Sequence, residues 1–175
     1  MNIVLLIQHT MKTKEEIQSV KSVVEIIDYT EQLKEHIKTL NYEWIQKHHH
    51  IEEGDVRSLS NPKEEILDKG GMIYYAQHKN KIVGTVSLLK ITEEEYELGK
   101  MAVTESAQGL GIGKILMEHC LKISKELKIK KLCLYSNTKL KPAIHLYEKY
   151  GFVEVPLEPG HYERANIKME KAFNS

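Results

Sequence analysis

The sequence predicts one domain of the mixed α/β (α+β) class: a central, mostly antiparallel sheet that contains one parallel pair and carries flanking helices. Three observations lead there. Tyr96 to Val103, YELGKMAV, reads as a strand that runs into the glycine-punctuated turn Gln108 to Gly113 and on into a strongly periodic helix. Before it, Met72 to His78 and Lys81 to Lys90 read as strands joined by the tight connection Lys79-Asn80, a hairpin that the strand at 96–103 extends into an antiparallel meander. After it, Leu132 to Tyr135 is a short buried-type strand. Because a helix separates it from the strand at 96–103, the two pair in parallel through a right-handed crossover.

The 175 residues suffice for a single real core. Lys plus Arg number 25 and Asp plus Glu number 25, so no global field draws the chain to nucleic acid or to an anionic membrane. Cys120 and Cys133 are the only cysteines and make no C-x-x-C, so neither a disulfide framework nor a zinc site is suggested, which suits a reducing cytoplasm. The longest apolar run, Ile3 to Ile7, is far too short to span a bilayer. With no basic region before it and no small-residue cleavage site after it, it does not read as a signal peptide. Residues 1–19 read as an appendage to a domain at 20–175, and Met11 is an alternative start.

In chain order, Ser22 to Tyr29 has the β-branched composition of a strand. Thr30 is placed to cap a helix whose Leu33, Ile37, Leu40 and Trp44 recur at helical spacing. That stripe is core in the simplest reading, with Trp44 as a pocket wall the alternative. His48, His49 and His50 would point about 100° apart on a helix, so they cannot converge on one metal ion and read as a polar helix end. Glu52 to Leu67 looks irregular at first, with Asn61-Pro62 opening a short helix that Gly70-Gly71 stops.

The helix after the glycines is expected to bury Ile112, Ile115, Leu116, Ile123 and Leu127. Lys128, Lys130 and Lys131 continue a basic run that reads as a solvated face. Pro142 sits in the first turn of a last helix that Gly151 terminates. Phe152 to Val155 and Tyr162 to Glu170 then close the sheet, the latter alternating Ala165, Ile167 and Met169 with polar residues. No repeat, low-complexity tract or linker interrupts the chain.

A strand, a glycine turn and a helix N-terminus together make an anion site, since backbone amides turn toward one point and the helix dipole favours a phosphate there. A Walker A loop is excluded: Gln108 stands where its first glycine belongs, and Ile115 replaces the Ser or Thr that would hold magnesium. A dinucleotide fingerprint starting at Gly109 would need glycine at position 114, which is Lys.

The pattern that fits is Gln-x-x-Gly-x-Gly, and it resembles the pyrophosphate-binding motif of the GNAT superfamily, the acetyl-CoA-dependent N-acetyltransferases. The segment LYSNTKLKPAIHLYEKYGF, Leu134 to Phe152, resembles that superfamily's second motif: an Asn after a strand, an Ala-Ile-x-Leu-Tyr helix and a closing Gly-Phe. The strings LNYEWIQ, ELGKMAV and YERANIKM are similar to one bacterial branch. Matching elements run from about Ser22 to Glu170.

The resemblance implies a GNAT-like fold in which the strands at 96–103 and 132–135 begin paired and then splay apart. It implies acetyl-CoA as co-substrate and no metal. Met101, Ala102 and Val103 would meet the pantetheine arm, Gln108, Gly109, Leu110, Gly111, Ile112, Gly113 and Lys114 would wrap the pyrophosphate, and Asn137 would hydrogen-bond the pantetheine. Tyr147 matches the family's tyrosine acid and lies against the cofactor. Its alternative is a core aromatic. Glu97 is a candidate base because it lies on the strand that reaches the split, although strand alternation leaves its face open. Cys120 and Cys133 match no nucleophile motif, so direct transfer in a ternary complex is the expected chemistry. The expected partner is a small-molecule amine or amino acid, with a protein substrate or a non-catalytic acyl-CoA sensor as alternatives. A homodimer is left open.

Overall fold

The computed structural model describes residues 24–158 and 162–173. The appendage at 1–19 and the alternative start at Met11 lie outside the described residues. Among the described residues, seven strands form one sheet: β1 (Val24–Asp28), β2 (Met72–His78), β3 (Lys81–Lys90), β4 (Glu95–Val103), β5 (Lys131–Ser136), β6 (Val153–Val155) and β7 (Ile167–Ala172). Their spatial order is β1-β2-β3-β4-β5-β7-β6. Of these described strands, only β4 and β5 pair in parallel. The β2–β3 turn works because Lys79 and Asn80 both take positive φ, 49° and 61°, the primed geometry that matches strand twist.

Among the described residues, four α-helices flank the sheet: α1 (Lys34–His48), α2 (Glu53–Ser60), α3 (Ile112–Glu126) and α4 (Lys141–Lys149). Alternation along the strands sorts the core into two layers. On one face Tyr74, Val86, Leu88 and Leu98 pack with Leu116, Met117 and Cys120 of α3 and with Tyr147 of α4. On the other, Ile73 and Tyr75 pack with Ile37 and Ile45 of α1, Leu59 of α2 and Ile66 of a π-helical turn, Lys63–Leu67.

Several expectations are corrected. Thr30 makes no capping bond. The chain enters α1 through a 3-10 turn, Glu31–Leu33, and it is the Thr30 carbonyl that accepts Leu33 N–H, at 2.9 Å. The segment read as irregular contains α2, started by a reciprocal capping box in which Glu52 and Asp55 each accept the other's backbone N–H. In α3 the buried stripe is Ile112, Leu116, Met117, Cys120 and Ser124, which puts Ile115 to one side, partly exposed, and Leu127 beyond the last turn in solvent. Tyr162 to Asn166 is a turn rather than strand, and β7 starts at Ile167.

Two irregularities shape the site. The β3–β4 register slips by one between Thr85 and Ser87, so β4 carries an extra residue at Lys100-Met101. Lys100 takes φ 49°, a left-handed conformation usually left to glycine. The parallel pairing of β4 with β5 covers only Glu95, Tyr96 and Glu97, after which the strands part.

Candidate active site

A cavity of about 840 Å³ opens where β4 and β5 separate. Its two ends differ in chemistry. One is the glycine turn. Gly109 and Gly111 have φ of 76° and 79°, and Gly111 is the N-cap of α3. A side chain at Gly109 would meet no atom within 4 Å, so the space there is open to a ligand. The first helical bond at this end is Ile115 N–H to Gly111 C=O, 3.1 Å, which leaves the amides of Ile112, Gly113 and Lys114 ahead of it without intrahelical acceptors. Glu43 of α1 steadies the approach by accepting Glu105 N–H at 2.7 Å. The arrangement suits an anion with several oxygens.

Asn137 and Tyr147 line the wall between the two ends. The Asn137 amide is anchored: Nδ2 donates to the Arg164 carbonyl at 2.8 Å and Oδ1 accepts Lys139 N–H at 3.0 Å. Tyr147 is buried beside Phe152, and burial pushes its phenol up to about 12. It therefore stays a hydrogen-bond donor at any neutral or mildly alkaline pH.

The other end is aromatic and charged. Glu97, 6% exposed, accepts a hydrogen bond from Tyr162 Oη at 2.9 Å. The Tyr162 ring lies 5.3 Å from Lys100 Nζ and 5.4 Å from the Arg164 guanidinium. Arg164 grips Asp55 through both prongs, at 2.6 and 2.9 Å, and also reaches Glu52 at 2.9 Å. Burial opposes ionisation of Asp55, but the hydrogen bond from Arg164 and the charges of Lys100 and Arg164 outweigh it and hold the carboxyl below its usual range. Glu52 additionally accepts the backbone N–H of Arg164 at 3.2 Å, so the start of α2 fixes the turn that presents Tyr162.

The cavity gathers Glu97, Met101, Ala102, Val103, Gln108, Gly109, Gly111, Ile112, Gly113, Lys114, Asn137 and Tyr147. Leu110 is the exception. It is partly buried against the core instead of lining the cavity. The alternation left open for Glu97 resolves onto the face of α1 and α2. Trp44, read as core by its spacing, is a cavity wall. The histidines divide: α1 stops at His48, His49 lines the cavity, and His50 Nε2 stands 3.6 Å from Glu163. Burial raises both thiols, that of Cys133 to about 11, which suits neither for nucleophilic attack.

Sequence reading missed Asp55, Lys100, Tyr162 and Arg164. Lys100 stands beside Glu97 in the strand YELGKMAV, and Tyr162 and Arg164 fall within the string YERANIKM, but nothing local to either string says that they meet.

The model of the acetyltransferase (GNAT) family matches residues 31–152, most of the chain. The chain belongs to the GNAT acetyltransferase family. A GNAT acetyltransferase of Staphylococcus aureus Mu50 superposes with a TM-score of 0.76 at 25% identity, over 85% of this chain and 98% of that one. The PaiA N-acetyltransferase of Thermoplasma acidophilum, solved with coenzyme A, has the same fold, with a TM-score of 0.66 at 21% identity over 86% of this chain and 99% of that one. Among curated GNAT relatives, the uncharacterized N-acetyltransferase YvbK of Bacillus subtilis (strain 168) is 29% identical over 101 residues, 56% of this chain and 65% of its own length. YwnH of the same strain, named for phosphinothricin acetylation, is 36% identical over 58 residues, 33% of this chain and 36% of its own length. The matches thus span less than two thirds of each curated relative. Among the described residues, no helix of this GNAT protein is long and apolar enough to cross a membrane.

Proposed function

We propose that this protein transfers the acetyl group of acetyl-CoA to a primary amine of a small molecule or amino acid, by direct attack in a ternary complex. One observation carries the reading: a single cavity joins the amide-lined turn at the start of α3 to a buried carboxylate, Glu97, through the opening between β4 and β5. The PaiA complex supports coenzyme A as the molecule that the glycine-turn end suits.

In this reading the turn and Lys114 hold the pyrophosphate, and backbone at Met101 to Val103, freed by the splay, pairs with the pantetheine amides. Glu97 takes a proton from the incoming ammonium, directly or through water, so that the neutral amine can attack the thioester carbonyl. Tyr147 donates a hydrogen bond to the departing thiolate. The N–C bond forms, the C–S bond breaks, and the second proton shed by the nitrogen passes to the thiolate, so that free coenzyme A leaves as thiol.

The test is thiol release from acetyl-CoA across a panel of amines, amino acids, phosphinothricin and basic peptides, beside calorimetric titration with acetyl-CoA. Turnover of a small amine or amino acid is the expected result. Turnover confined to peptides would move the reading to a protein acetyltransferase, and tight binding without thiol release to an acyl-CoA sensor.

A further inference from the structure

Lys100 combines three properties that seldom meet in one residue. It occupies the extra position of the β4 bulge with φ 49°, where glycine would be free of strain. Its side chain is 6% exposed, and burial pulls its ammonium below the usual lysine range even though Asp55 and Glu97 act the other way. And it lines the cavity at the end that holds Glu97. A strained backbone and a buried cation both oppose folding, so neither is explained by packing alone.

Its partners are too few for a buried ammonium. The contact with Asp55 Oδ1 is long, 3.4 Å, and that same oxygen accepts Arg164 Nη2 at 2.9 Å while Oδ2 accepts Nη1 at 2.6 Å. Among the described residues this is the only hydrogen bond the ammonium makes, and the Tyr162 ring at 5.3 Å offers just its face. Arg164, by contrast, is committed to Asp55 and Glu52. An ammonium has three N–H donors, so Lys100 has donors left for a ligand in the cavity. Asn41 holds the bulge in place, its Nδ2 donating to the Lys100 carbonyl at 3.2 Å.

We propose that Lys100 binds the acid group of an acceptor that carries its amine next to a carboxylate, so that the acceptor is an α-amino acid or a close analogue. The inference rests on the transferase reading above and narrows it. Glu97 and Lys100, three positions apart across the bulge, offer one anion and one cation to the same small molecule. The amine meets Glu97, and the carboxylate meets Lys100.

The test compares each common amino acid with the amine left when its α-carboxyl is removed, such as phenylalanine with phenethylamine and histidine with histamine. Wild-type protein should favour the amino acid of a matched pair by roughly 10-fold or more in kcat/KM, the scale of a hydrogen bond to a charged group. Lys100→Met should raise KM for the amino acid by a similar factor, change KM for its amine partner far less and leave acetyl-CoA affinity unchanged. Lys100→Arg should recover part of the preference. Calorimetric titration of amino acids into the coenzyme A-saturated protein provides a second measurement, independent of turnover, with binding expected for wild type and lost in Lys100→Met. Acetyl-CoA binding together with equal or better use of the decarboxylated amines overturns the Lys100 assignment alone, and so does a Lys100→Met loss that is the same for both members of a pair. Failure to bind acetyl-CoA overturns the transferase reading beneath it.

Discussion

The hydroxyl of Tyr162 donates to Glu97 Oε1 at 2.9 Å, at the last residue of β4 that pairs with β5. The two lie 65 positions apart in the chain and meet because α2 pins the turn that carries Tyr162. If Glu97 is the base, Tyr162 is a positioning residue for it. Tyr162→Phe keeps the ring between Lys100 and Arg164 and removes only the hydroxyl. It should lower kcat by about 10-fold, as expected for one hydrogen bond to a charged group, with acetyl-CoA affinity unchanged. A variant with wild-type kcat, measured at saturating acetyl-CoA, would make the contact structural.

At the other end of the cavity, Gly111→Asp should nearly abolish acetyl-CoA binding. The change places a negative charge where amides converge and forces a side chain onto a φ of 79°. The melting temperature should fall by a few degrees at most, since that strain is of the order of 1 kcal/mol. Calorimetry on the folded variant decides it. Wild-type affinity would remove the phosphate assignment.

Tyr147 yields two expectations. Tyr147→Phe should cut turnover by roughly 10²-fold if the hydroxyl assists the leaving thiolate. The second concerns alkaline stability. Folding raises the phenol from 10.0 to about 12, so its contribution is complete below pH 10 and is lost as pH rises from 10 to about 12. Over that window the folded state keeps a proton that the unfolded state has released, and stability declines by about 1.4 kcal/mol per pH unit from this group. The Phe variant should show a shallower alkaline decline in denaturant titrations. An unchanged slope would mean that Tyr147 titrates as it does in an unfolded chain.

The Asp55–Arg164 pair should behave as a buried ion pair. Asp55, 1% exposed, ionises more readily than usual, so its stabilisation is present above the ordinary carboxylate range and is lost as pH falls through the lowered value. Asp55→Asn alone should cost about 3 kcal/mol, because it leaves a buried guanidinium with Glu52 as its remaining carboxylate. Combining Asp55→Leu with Arg164→Met should cost less than the sum of the two single changes in urea unfolding. Strict additivity would show that the pair is not coupled.

How much of this was legible in the sequence follows from the range of each interaction. The β2–β3 hairpin is fixed by neighbours, since two runs rich in apolar residues flank two turn residues, and its bounds match to the residue. The glycine turn is equally local, so nearly all the residues that line that end of the cavity could be read. Leu110 failed there because membership of a turn does not say which way a side chain points. The charged end depends on Asp55 meeting Arg164 across 109 positions, which no window of sequence contains. The helix carrying Asp55 looked irregular because Gly54 and its charges weaken local propensity. A capping box and a distant arginine supply what propensity lacks. Trp44 continues the spacing of Ile37 and Leu40, and periodicity alone cannot tell that the core beneath the helix has given way to a cavity.

The short β4–β5 pairing also gives the molecule a sheet edge in its own interior. Outer edges such as those of β1 and β6 can recruit strands from other chains, and proteins usually blunt them. Among the described residues, β4 beyond Glu97 has no partner in register on its β5 side, and that side faces the cavity within the sheet instead of an outer edge. A polypeptide strand needs nearly 5 Å of clearance on each side, together with room for its side chains. A slender arm bearing amides and no side chains needs much less. If the arm of acetyl-CoA pairs there as proposed, the gap would work as a sieve, keeping strand-pairing capacity available to one shape of molecule while withholding it from the aggregation partners that an open edge would invite.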